Sequence, residues 1–105
     1  YPNQLQQCIN KQIISPLFLA DKTTLINIME MVSGLFLSKN IVYQNGKPAY
    51  LVDLAKAFEW LFNIKIGDCY QKHEDVIKRK PGKLTGFLNG LVELIKKEHD
   101  KKGYR

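Results

Sequence analysis

Cys69 and His73 stand four residues apart in "GDCYQKHEDVIKRKPGKLTGF", which runs from Gly67 to Phe87. On a helix that spacing puts both side chains on one face, as two ligands of a zinc ion would be. Zinc takes four protein ligands in a closed site, or three plus water. The chain holds two cysteines and two histidines in all, and His99 is remote in sequence. A Cys–His nucleophile pair also lacks parts. Cys69 would gain from a helix N-terminus, but no oxyanion hole or third orienting group is legible. There is no Gly-rich phosphate loop, no HExxH or GxSxG, and no convincing carboxylate pair. The two residues read as a buried thiol and a packed imidazole. No metal, cofactor or catalytic residue is expected, and the domain is not expected to be an enzyme.

The remaining chemistry of the stretch is cationic. Of a net charge of +6, residues 1–70 carry six lysines against five acids, and residues 71–105 carry ten Lys+Arg against five acids. A basic excess confined to the C-terminal third suits an acidic partner, nucleic acid first and a membrane surface second. The plain alternative is a solvated basic face. For DNA, Lys72, Lys78, Arg79, Lys80 and Lys83 suit phosphates, with Lys96 and Lys97 as outer candidates. Base reading would fall to Gln71, Lys72, Asp75 and Lys78. Gln71 can pair with adenine and lysine with guanine edges, while Asp75 can accept from cytosine or hold Lys78 or Arg79 along the helix. Glu74 and Asp75 fit least well, because phosphate repels a groove-facing acid.

These residues need elements to hold them. At 105 residues with 45% hydrophobic content, the chain fits one small domain with a modest core. No apolar run approaches the roughly 20 residues of a membrane span. The opening "YPNQLQQCIN" has no Met and no signal-peptide layout. Residues 1–20 read as a lead-in from a preceding N-terminal region, with a short helix over Gln4–Ile14, and residues 21–105 as the domain. Cys8 and Cys69 form no CxxC pair, in keeping with a reducing cytosol.

Asp21 can cap a first helix, "KTTLINIMEMVSGLFLSKN", whose apolar stripe runs from Leu25 to Phe36. Gly34 weakens it and suggests close packing. "IVYQNGKPAY" carries an Asn45-Gly46 turn between β-prone flanks, and Pro48 limits the second flank to an edge. The spacing predicts a small β element there. "YLVDLAKAFEWLFN" is the clearest amphipathic helix, ended by Asn63, with Trp60 off its main stripe. Asp68 caps the next helix, which turns Cys69 or Tyr70, His73, Val76 and Ile77 inward and Gln71, Lys72, Asp75, Lys78 and Arg79 outward, and which Pro81-Gly82 stops. In the last helix Leu84, Phe87, Leu88, Leu91, Leu94 and Ile95 point inward. Gly86 and Gly90 argue for a late start or tight packing. A bracing helix followed by a basic one is how a helix-turn-helix presents itself. Periodicity alone does not separate it from an ordinary helical hairpin.

The motifs add to this. "NGKPAYLVDLAKAFEWLFNIKIGDCYQ", a basic segment and then "TGFLNGL" resemble the C-terminal part of the RteC family. The matching positions are Asn45, Gly46 and Lys47; Phe58, Phe62 and Asn63; Ile64 and Ile66; Gly67, Asp68 and Tyr70; and Thr85, Phe87 and Leu88. "DKTTLINIMEMVSGLFLS" resembles the family's preceding helix, so the likeness spans roughly residues 20–100. The resemblance implies a transcriptional regulator of bacterial conjugative transposons, active in tetracycline-induced excision and binding double-stranded DNA upstream of excision genes. It implies a cytoplasmic, nucleoid-associated protein and a mainly α fold with a small β element, of winged-helix or helix-turn-helix type. "KPAY" would be the first strand, "DCYQKHEDVIKRK" the recognition helix, and Pro81-Gly82 the place of any wing. Gln71-Lys72, Leu84 and Gly86 depart from family Arg, Arg and Lys positions. Bidentate guanine contacts by arginine are lost there. The rival expectation is an interaction module that docks an acidic partner or its own N-terminal domain. A homodimer is a further partner to consider.

Overall fold

The computed structural model describes residues 14–103, so almost all of the helix expected over Gln4–Ile14 falls outside the described residues. The described chain is mainly helical. Five helices follow one another: α1 (Leu25–Ser38), α2 (Leu51–Phe62), α3 (Cys69–Ile77), α4 (Pro81–Leu84) and α5 (Gly86–Lys101). α1 is the central element and packs against α2, α3 and α5. Its Ile28, Met29 and Val32 are buried to 2%, 0% and 0% exposure and meet Leu51, Leu54 and Ala55 of α2 with Ile66, Cys69 and Val76 in one core.

Local chemistry sets the ends of these helices. Thr24, not Asp21, caps α1, its hydroxyl accepting from the Asn27 amide. Lys39, in the left-handed region at φ 59°, closes it. Asn63 ends α2 as expected, at φ 54°. Its side-chain amide also donates to the Ser15 and Leu17 carbonyls, at 2.7 and 2.9 Å. Ser15 is itself buried and donates to the Leu61 carbonyl at 2.5 Å, so residues 15–17 lie along the end of α2.

The small β element is not formed: among the described residues there is no strand, only one antiparallel bridge between Val42 and Pro48. The turn itself is built. The Lys47 amide donates to Asn45 Oδ1 (3.0 Å), the Tyr43 amide to the Lys47 carbonyl (2.9 Å), and Gly46 takes φ 87°. Pro48 has no N–H to extend a ladder, and no third strand is present among the described residues to support a lone hairpin. Instead, the Tyr43 hydroxyl donates to the Asp53 carboxylate and accepts from the Tyr50 amide (3.0 Å), tying the turn to the start of α2.

The end of the chain also departs from the pattern-based expectation. α3 stops at Ile77, and the segment with Pro81-Gly82 forms the helical turn α4, with Pro81 in its first turn. Pro fits there because its fixed φ suits a helix start and its missing N–H would be unpaired anyway. No wing strands form at this place. α5 begins at Gly86, and nothing lies within 4 Å of a Cβ built on Gly86 or Gly90, so neither glycine serves tight packing. A Cβ on Gly34 would meet Leu88 at an ordinary 3.8 Å.

Candidate nucleic-acid interface

α3 is set at both ends. Gly67 turns the chain at φ 80°, and Asp68 accepts from the Tyr70 and Gln71 amides at 3.1 and 3.2 Å. The inner face follows expectation in part. Cys69 and Val76 are buried, while Ile77 is 45% exposed and departs from the inward stripe. His73 Nδ1 shares a 2.8 Å hydrogen bond with the Ser33 hydroxyl, and its ring meets Phe36 edge-on at 5.8 Å. Burial, and next the Asp68 carboxylate, push the Cys69 thiol up from its ordinary pKa. His73 thus faces α1, and Cys69 lies in the core. Among the described residues no three His, Cys, Asp or Glu side chains converge as metal ligands would.

The outer face is more mixed than its spacing implies. Gln71 is exposed and its Nε2 donates to Asp75 Oδ1 at 3.0 Å. Asp75 therefore holds Gln71, rather than Lys78 or Arg79. Lys72 and Asp75 are half-buried, and Tyr70, Glu74, Ile77 and Lys78 are exposed. Lys80 and Lys83 are exposed on and before α4. Lys96 and Lys97 are exposed on α5, with Lys96 3.9 Å from Glu93.

Arg79 is placed differently from its neighbours. Spacing turns it outward, but the structure turns it onto Glu30 of α1. Its Nη1 donates to Glu30 Oε1 at 2.9 Å, and its side chain is 24% exposed. The other oxygen of Glu30 accepts from the Leu88 amide at 2.8 Å. That amide is one of the first N–H groups of α5, which no helix partner can satisfy, and Thr85 makes no side-chain cap. Glu30 therefore caps α5 from across the fold, where the helix dipole also favours a carboxylate. A carboxylate with 1% side-chain exposure needs such partners, since an unpaired buried charge is strongly unfavourable. Periodicity missed Glu30. The signal was there: it is the only charged residue in α1.

The described region is thus a helical domain with one mixed, partly basic face. A family model described as RteC protein matches residues 6–102, and the chain belongs to the RteC family. No curated protein and no solved structure matches it. No helix among the described residues is long and apolar enough to cross a membrane.

Proposed function

We propose that this chain is the DNA-binding part of an RteC-type transcriptional regulator, acting in the bacterial cytoplasm on excision genes of a conjugative, tetracycline-responsive transposon. It binds and does not catalyse. The observation that carries the reading is the order and packing of α2 and α3 on α1, together with the exposed side chains that follow. α2 braces; α3 presents Gln71, and the chain continues through Lys78 into Lys80 and Lys83. That order suits a helix-turn-helix docked in the major groove. In this reading Lys78, Lys80 and Lys83 contact phosphates and Gln71 reads a base edge. Lys96 and Lys97 act as outer contacts, half-buried Lys72 contributes its ammonium, and Arg79 holds the segment in place through Glu30. Asp75 serves the face by steadying Gln71.

The test is an anisotropy titration of a full-length RteC protein carrying this region against duplex DNA from its own element. Affinity should fall steeply with salt, and Lys80→Ala or Lys83→Ala should each lower the log–log salt slope by about one. No binding at about 50 mM salt would sink the reading.

A further inference from the structure

We propose that the groove between α1 and the α4–α5 segment is the docking site for an acidic amphipathic helix of a partner protein. Two clefts of about 210 and 270 Å³ lie against the same pair of residues, Gly34 and Leu88. Gly34 has no side chain to fill the α1 surface, and Leu88 stands between the helices. Leu37, Ile77 and Leu84 continue the apolar lining in the first cleft, with Leu37 58% and Ile77 45% exposed. Glu30 is the single ionised side chain lining that cleft, and both its oxygens are already engaged, by Arg79 and by the Leu88 amide. What the groove offers an occupant is therefore hydrocarbon.

The chain segments that carry this lining are basic. Lys78, Lys80 and Lys83 lie in the chain between Ile77 and Leu84, and Lys39 follows Leu37 by two residues; all four are exposed. Glu74, one turn before Lys78 on α3, is the exposed acid nearest to them in the chain. An apolar trough whose flanking chain segments carry exposed lysines fits a helix that buries large side chains at i, i+4 and i+7 and turns carboxylates toward those lysines. A nucleic-acid backbone presents sugars and charged phosphates rather than large apolar side chains to Leu37 and Ile77, so the trough itself favours the peptide. This assignment does not require that the chain bind DNA. If it does, the two ligands compete for Lys78, Lys80 and Lys83.

Display of random peptides of about sixteen residues, about 24 Å as a helix, on the full chain tests it. Selected sequences should converge on large apolar residues at helical spacing with net negative charge. By anisotropy, Leu37→Ser and Lys83→Glu should each weaken a selected peptide about fivefold or more, a loss of about 1 kcal/mol. Both positions are exposed, so melts should match the parent. Amide shifts of Gly34, Leu37 and Leu88 on titration give a second readout that needs no variant. Selection of uncharged or basic sequences would overturn the proposal, as would binders indifferent to Leu37→Ser. Self-association abolished by Leu37→Ser would assign the groove to a second copy. Duplex DNA that shifts these amides while no peptide is selected would assign it to nucleic acid.

Discussion

α1 and α5 are close in length, at 14 and 16 residues, and both carry apolar residues at helical spacing. α1 buries Ile28, Met29, Glu30, Val32 and Ser33, whereas no residue of α5 is buried. On α5, Phe87, Leu88 and Leu91 are half-buried, and Leu94 and Ile95 are 63% and 72% exposed. The difference lies in neighbours. α1 has helices on several sides, and α5, about 24 Å long, leans chiefly on α1 along its first half. A periodic stripe defines a face, but another element must arrive before that face is worth the roughly 1.5–3 kcal/mol of a buried aliphatic side chain.

Substitution should show the contrast directly. Met29→Ala should cost about 2–5 kcal/mol in urea unfolding, as for other fully buried residues, and Ile95→Ala less than about 0.5 kcal/mol, as at an open surface. Equal losses would mean that α5 has a partner in solution. The next effect tests the link between the two helices. Arg79→Ala should cost about 2–3 kcal/mol, less than the roughly 3–5 of a fully buried pair because water reaches the guanidinium. Glu30→Gln should cost less, since its amide oxygen still accepts from the Leu88 N–H, and hydrogen exchange should show the first turn of α5 loosened in both. Smaller still is Gly90→Ala, which meets open space and should stabilise by up to about 1 kcal/mol.

Cys69 sharpens the comparison from the core side. Its raised pKa keeps the folded thiol neutral where a free cysteine, near about 8.5, begins to ionise. That contribution is present below the ordinary thiol range and is lost as pH rises through the raised value, because the unfolded chain then gives up its proton first. Labelling of Cys69, followed with Cys8 replaced by Ser, should therefore be slow in the native protein and track global unfolding. It should speed up in Met29→Ala and be unchanged in Ile95→Ala.

Much of this was legible beforehand. Asn63 as the end of α2, Asp68 as the cap of α3 and the inward Cys69 and His73 follow from local chemistry and period. The sites where expectation failed are those where a local rule had a competitor outside its window. Pro81-Gly82 read as a stop and as the place of any wing; α3 does end before it, but Pro also starts helices, and a helical turn stands where the wing was expected. The Asn45-Gly46 turn formed, but its flanks lack the neighbouring strand that makes a sheet. Arg79 sits in a run of cations, and only the arrival of α1 revealed a buried acid for it to meet.

The sequence by itself determined the helix count over the longer elements, Asn63 and Asp68 as helix ends, the excess of charge in the last third, and the family to which those motifs belong. These depend on interactions within a few residues, which the order of side chains states directly. Only the tertiary structure decided which cations are engaged and which are exposed, that Glu30 caps α5, and that the stripe of α5 runs past its cover to Ile95. The Glu30 contacts join residues about fifty positions apart in the chain, Glu30 and Arg79 being 49 and Glu30 and Leu88 58 apart. Contacts at that range are set by how the helices pack around α1, which no local pattern encodes.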